Sequence, residues 1–180
     1  MTKTNHKDDI SYNRALLAGG CFWCTEAAFE DVVGIERLIV GYSGGTTSNP
    51  NYEQVSSGDT DHYETLLIQY NQDISYNEIL DIFWKTIDPF DESGQFYDRG
   101  TQYKTAIFYC DDMQKNIAQS SLLRYQENFT DTIKTKILPA TSFYTAEEYH
   151  QNYHRKNPIK YNMYKKNSNR EKFLNQIWQK

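Results

Sequence analysis

Apolar residues fall into short blocks along this chain, and the period within each block assigns an element. Residues 14–18 are a compact apolar run closed by Gly19-Gly20, which reads as a strand. Residues 22–32 have a helical pattern, with Phe29 and Val32 available for an inner face. Residues 35–42 alternate well enough for a second strand, ended by the turn signal Ser43-Gly44-Gly45, and Ser48-Asn49-Pro50-Asn51 continues as loop. Residues 63–70 supply a third strand, on which Leu67 faces away from Leu66 and Ile68. Ser75 and Glu78 form a capping box, and Ile79, Phe83 and Ile87 follow at helical spacing, with Pro89 just beyond. Residues 88–102 are acidic and punctuated by glycine, as suits a functional loop. Residues 103–109 read as a strand, and Asp111 or Asp112 caps a helix running to about Phe129. Residues 134–138 make a last short strand, and Thr145 with Glu148 predicts a second capping box, opening a helix that ends before Pro158.

Strands and helices are interspersed without a regular βα repeat. The expected fold is therefore α+β: a two-layer sandwich with a mixed sheet, a ferredoxin-like core with long loops. No repeat or linker divides the chain, so residues 14–180 are expected to form one domain behind a solvated arm of residues 1–13.

Composition narrows the class. The 180 residues carry a net charge of -5 without basic clusters, which gives no support for a nucleic-acid or anionic-membrane surface. The mean hydropathy of -0.79 is low for a globular protein. The 15 tyrosines account for much of it, since their rings pack as apolar groups. No apolar run approaches a membrane span of about 20 residues, and the N-terminus lacks a signal-peptide core. Three cysteines make no disulfide framework and fit a cytoplasmic protein with a reactive thiol.

Cys21-Phe22-Trp23-Cys24 carries the most chemical information. It follows a strand and a Gly-Gly pair and opens a helix, whose N-terminal N–H groups favour thiolate over thiol. Cys24 lies about one turn on, close enough to approach the first thiol. Two adjacent aromatic rings beside a nucleophile suggest an apolar pocket. The alternatives are two structural cysteines, a general dithiol oxidoreductase, or a metal-binding or redox-sensing module that recruits His150 and His154, four apart on the expected helix.

Six stretches, in order, resemble the peptide methionine sulfoxide reductase A family. They are Gly20-Cys21-Phe22-Trp23, Gly41-Tyr42-Ser43-Gly44-Gly45, Asn49-Pro50-Asn51-Tyr52, the run from Gly58 through Asp61, His62 and Glu64, the run from Asp98 through Tyr103, and Tyr149-His150-Gln151-Asn152-Tyr153. The resemblance implies that Cys21 is the nucleophile and that Phe22 and Trp23 hold the substrate methyl. Glu64 would be the carboxyl that protonates the sulfoxide oxygen, helped by the hydroxyls of Tyr52 and Tyr103, with Asp98 lining the same site. The chemistry asks for these types independently, because a sulfoxide sulfur accepts a thiolate only as its oxygen is protonated. The resemblance further implies the S epimer of methionine sulfoxide, free or protein-bound, as substrate. It also implies no cofactor, and thioredoxin as the external reductant. The chain is expected to act as a monomer.

Two departures from the family pattern bear on mechanism. Cys24 stands where many relatives have Gly, and no cysteine follows Cys110. Cys24 is therefore the expected resolving thiol, forming a Cys21–Cys24 disulfide after a sulfenic acid, while Cys110 reads as a buried small hydrophobe at a strand end. Asp61 stands where Gly commonly precedes the His, and is expected to add a charge near Glu64.

Overall fold

The computed structural model describes residues 13–178. Its strands are β1 (Asn13–Gly19), β2 (Ile35–Ser43), β3 (Tyr63–Tyr70), the short β4 (Gly94–Gln95) and β5 (Asp98–Arg99), β6 (Thr105–Tyr109), β7 (Lys136–Pro139) and β8 (Tyr144–Thr145). The helices are α1 (Phe22–Phe29), α2 (Tyr52–Ser56), α3 (Tyr76–Trp84), α4 (Asp112–Gln126), α5 (Tyr153–Lys156), α6 (Pro158–Asn167) and α7 (Arg170–Trp178). Two 3₁₀ turns, Thr101–Tyr103 and Glu148–His150, complete the described path.

The main sheet has the order β7-β6-β1-β3-β2-β8. Its inner four strands are antiparallel neighbours, and β7 joins β6 in parallel, so the sheet is mixed. Within it, β1-α1-β2 and β3-α3-β6 interleave as two split βαβ units, which is the expected ferredoxin-like core. β1 is buried from Ala15 onward because it is covered on both faces. Ala15 and Leu17 join the large core beneath the helices with Leu66, Ile68, Phe83 and Trp84. Leu16 and Ala18 join a smaller cluster with Tyr63 and Phe108 on the other face. The expected facing of β3 holds, since Leu66 and Ile68 point to the helices and Leu67 packs on the opposite cluster.

Several boundaries differ from the sequence reading for tertiary reasons. α1 stops at Phe29, and Gly34 (φ +91°) then turns the chain into β2. The strand expected from residue 103 starts at Thr105, because Tyr103 closes a 3₁₀ turn. α2 follows directly on the loop read for residues 48–51, in a stretch to which the pattern assigned no element, its start fixed by a capping box between Asn51 and Gln54. Thr145 caps no helix. It pairs in β8 with Gly41 of β2, and the Gln151 amide bonds both backbone groups of Val40 at 3.0 and 2.9 Å, holding this stretch against the sheet edge. A helix does end before Pro158, the short α5, and Pro158 also opens α6 at its first turn, where a missing N–H costs nothing. Asn13 already pairs with Tyr70 in β1, and the rest of the expected solvated arm lies outside the described residues.

Gly20 sets the geometry of the β1–α1 junction. It takes φ +82°, and a Cβ there would stand 2.6 Å from Gln95 Cβ. Gln95 is fully buried and holds the loop of residues 88–102 closed, accepting from Asp88 N–H at 2.8 Å and donating to Asp88 O at 2.7 Å. Gly20→Ala therefore combines a left-handed backbone cost with overpacking, and is expected to lower stability by about 2–4 kcal/mol. Urea unfolding with an unchanged m-value checks this, and a loss under about 0.5 kcal/mol, the range of a neutral surface change, contradicts it.

Candidate active site

β1 and β2 end, and β3 and β6 begin, at one end of the sheet, and this is where the predicted site residues gather. Cys21 is the N-cap of α1 (φ −52°, ψ 116°), with only 5% of its surface exposed. Its carbonyl accepts the N–H groups of Cys24 and Thr25 at 3.1 and 3.2 Å, so the helix starts directly at the thiol. The next free N–H, that of Phe22, is given to Glu64 Oε2 at 2.9 Å. Glu64 opens β3 on the same face as Leu66 and Ile68 and is 3% exposed.

Burial dominates the electrostatics. The Glu64 carboxyl accepts this hydrogen bond, and burial pushes it up to about 8, against the pull of the Phe22 N–H and with added repulsion from Asp98 and Cys24. Asp61, expected to act on Glu64, does not appear among these causes. Its side chain is exposed and its charge acts on Tyr63, while its backbone takes the φ of +57° that a glycine would tolerate.

The thiols correct a second expectation. Burial raises Cys21 well above the usual thiol range, with further upward shifts from Cys24, Glu64 and Asp98. The helix N-terminus does not offset this, because its first N–H serves Glu64 and no side-chain cap bond forms. Cys24 shifts the other way, lowered first by its hydrogen bond with Cys21 and then by Arg170 and the Tyr161 hydroxyl. The pair thus keeps the thiol hydrogen on Cys21 and places any thiolate character on Cys24.

Around these groups stand the other predicted residues. Tyr52 opens α2 and hydrogen-bonds the Tyr103 hydroxyl, and both feel the charges of Glu64 and Cys21. Burial raises both phenols, so they remain O–H donors. Asp98, on the β4–β5 hairpin, is raised by burial, opposed by the Tyr164 hydroxyl that donates to it and by Arg170. Phe22 is buried and lies 6.0 Å from the Tyr42 ring and 5.1 Å from that of His150. Trp23 is half-buried, stacked on Tyr153 at 3.8 Å, and donates its Nε1–H to His150 Nδ1 at 3.2 Å. That bond makes Nε2 the protonated nitrogen of His150, and burial lowers the imidazole's basicity.

The two histidines do not join the cysteines. His150 sits on a 3₁₀ turn against Trp23, whereas His154 on α5 faces Glu30 at 2.8 Å and Glu26 at 3.5 Å. They do not share a helix, and among the described residues no group of three or more His, Cys, Asp or Glu is placed to hold a metal. Cys110 is also corrected: it is exposed, not buried. It follows the far end of β6, five residues beyond Thr105, which pairs with Gly19. That separation is about 16 Å along a strand, beyond the reach of any bond to Cys21.

Sequence reading did not find the scaffold of the site. Glu147 ties two motifs together, accepting from Tyr42 O–H at 2.8 Å and from Tyr52 N–H at 2.7 Å. His62 organises the loop that carries Tyr52, accepting from Gly45 N–H at 3.1 Å and bonding Thr47 O at 2.7 Å through Nε2. A Cβ on Gly45 would come within 2.3 Å of Thr60 O, which explains that glycine. Tyr161, Tyr164 and Arg170 come from helices that the sequence pattern did not reveal. The Tyr161–Tyr164 spacing behind Pro158 was the available signal.

Comparison with known proteins gives one consistent set of matches. The family described as peptide methionine sulfoxide reductase matches residues 13–180. The chain is 47% identical over 167 residues to peptide methionine sulfoxide reductase MsrA of Bacillus licheniformis, covering 91% of this chain and 92% of that protein. Among solved structures, reduced Mxr1 from Saccharomyces cerevisiae superposes with a TM-score of 0.80 at 34% identity, covering 88% of this chain and 93% of that one. Mxr1 in complex with Trx2 matches with a TM-score of 0.59 at 26% identity, over 85% and 92% of the two chains.

The raised Glu64 carboxyl has a signed consequence for stability. Its folded value near 8 lies above the ordinary 4.5, so the folded state holds a proton that the unfolded chain releases between these values. Stability should be fullest below pH 4.5 and fall as pH rises toward 8, whereas Glu64→Gln should lack this component. Urea midpoints of both proteins across that range check it. A wild type that gains stability relative to Glu64→Gln with rising pH contradicts it.

Proposed function

The chain belongs to the peptide methionine sulfoxide reductase family, an oxidoreductase family that reduces methionine sulfoxide, and from that premise we propose how its own residues carry the reaction. The observation that carries the reading is the Phe22 N–H bond to Glu64, which places a protonated carboxyl directly beneath the Cys21 helix start. The substrate is the S epimer of methionine sulfoxide, free or in a polypeptide. Its methyl rests against Phe22 and Trp23, whose rings are fixed by Tyr153 and His150.

Glu64 gives its proton to the sulfoxide oxygen while the Tyr52 and Tyr103 hydroxyls bond it, and Asp98 borders the pocket. Cys21 attacks the sulfur as its hydrogen passes to Cys24, the bonded group with the greater thiolate character. The hydroxyl passes from the substrate sulfur to the Cys21 sulfur as the S–O bond and the transient bond between the two sulfurs break, so methionine leaves and Cys21 holds the oxygen as a sulfenic acid. Cys24 then attacks that sulfur, releasing water and leaving a Cys21–Cys24 disulfide. The first turn of α1 must loosen for this bond, since helical geometry holds the pair in hydrogen-bond contact rather than at bonding distance.

A thioredoxin-type dithiol reduces the disulfide, as the Trx2 complex of the yeast relative supports. The exposed Cys110, on a remote strand end, takes no part. The reaction needs no prosthetic group, because thiol chemistry supplies both electrons. We assign the protein to the cytoplasm as a monomer, on a cysteine content that makes no disulfide framework.

Cys24→Ser separates attack from recycling. It should still convert about one sulfoxide per enzyme, because the first step consumes one thiol, but more slowly, because the group that takes the Cys21 hydrogen is lost, and it should lose turnover with thioredoxin. Cys21→Ser should show neither the single conversion nor any turnover. Quench-flow with mass mapping after one turnover reads both, and full thioredoxin-driven turnover by Cys24→Ser would overturn the local disulfide.

A further inference from the structure

Cys24 has a second environment that the sulfoxide site does not use. It lines a groove of about 300 Å³ between α1, the end of α3 and the helices α6 and α7. None of Phe22, Trp23, Tyr52, Glu64, Asp98 and Tyr103 borders it. Ala27 and Ala28 continue the α1 wall beside Cys24, and Tyr161 and Leu174 face them from α6 and α7. The rim is basic: Lys85, Lys165 and Arg170 face a single acid, Glu171, which stands 3.8 Å from Lys165. Arg170 is 5% exposed, bonds the carbonyls of Thr86 and Gly19, and leaves its buried Nε–H without an acceptor. A buried cation with an unused donor beside a thiol, in a cleft the size of a small-molecule site, points to an anionic ligand.

We propose that this groove binds a small thiol bearing carboxylates, which reduces the enzyme by attacking Cys24 from a side that none of the sulfoxide-site residues line. The inference rests on the Cys21–Cys24 disulfide described above. The incoming thiolate forms a bond to the Cys24 sulfur, the Cys21–Cys24 bond breaks, and Cys21 takes the proton the attacking thiol gave up. A second molecule of the same thiol attacks the outer sulfur of the mixed disulfide. It carries off the first as its own disulfide and leaves Cys24 as thiolate. Two thiols are oxidised and one protein disulfide is reduced. Access decides the first attack, since Cys24 and not Cys21 lines the groove. Arg170 and the Tyr161 hydroxyl, which favour charge on Cys24, assist its departure in the second.

The test uses full-length enzyme oxidised by one equivalent of methionine sulfoxide, with the disulfide mapped by mass spectrometry. Mercaptosuccinate, 2-mercaptoethanol and cysteamine are then compared as reductants, each normalised to its rate with an exposed reference disulfide. Mercaptosuccinate should be about tenfold faster than 2-mercaptoethanol, the lower end of electrostatic steering, with a saturable rate and a trapped adduct on Cys24. Lys85→Gln/Lys165→Gln should erase that advantage and leave single-turnover sulfoxide reduction unchanged. Equal normalised rates for the three thiols, or an adduct on Cys21, overturns the groove with the disulfide reading intact. A mapped bond other than Cys21–Cys24 overturns both. A double variant that slows a thioredoxin but not mercaptosuccinate makes the groove a protein-docking face and also overturns the proposal.

Discussion

The site depends on one hydrogen bond: the first free N–H of α1 goes to a buried carboxyl, not to the thiol beside it. Phe22 N–H and Glu64 Oε2 meet at 2.9 Å where β3 begins under the helix. One donor does not replace the water lost by a 3% exposed carboxylate, so the group stays protonated up to about pH 8. Cys21, buried beside it, has no side-chain cap bond to favour its thiolate. Acid and nucleophile therefore both rest as protonated species in a dry site. The negative charge goes to Cys24, where Arg170 and Tyr161 receive it.

This arrangement is held from outside by the C-terminal segment. Glu26, buried in α1, accepts the Asn152 N–H at 3.0 Å and faces His154 at 3.5 Å, fixing the turn from which Tyr153 stacks on Trp23. Glu147 couples Tyr42 of the sheet to the start of α2, which presents Tyr52. Glu26 is buried and Glu147 only partly so, and each links elements distant in sequence. The wrap gives the short α1, with no acidic residue in its first turn, the packing it needs to persist.

How much of this was legible follows from which forces are local. β1, β2 and β3 were readable because their apolar patterns mirror what they bury, and the capping box at Ser75 holds as written. Cys21, Glu64, Tyr52, Tyr103, Asp98, Phe22, Trp23 and Cys24 do converge, and resemblance rather than periodicity named most of them. What failed was decided by tertiary contacts. Thr145 had the spacing of a cap but was drawn to the β2 edge, and Pro158 follows the end of α5 as read but also starts α6, which was not read. The thiolate expected at Cys21 was reversed by desolvation, and Cys110 proved exposed because its strand ends at the surface. Two histidines four apart were separated by an extended step at Gln151 and a left-handed one at Asn152.

The central claim is that Glu64 is a neutral acid at physiological pH, and its carboxyl stretch reports this directly. Infrared difference spectra between wild type and Glu64→Gln, titrated from pH 4 to 10, isolate that band. The account predicts a protonated C=O band that persists through neutrality and disappears with a midpoint near 8. A band already lost by about pH 5, as for an ordinary carboxyl, would contradict it.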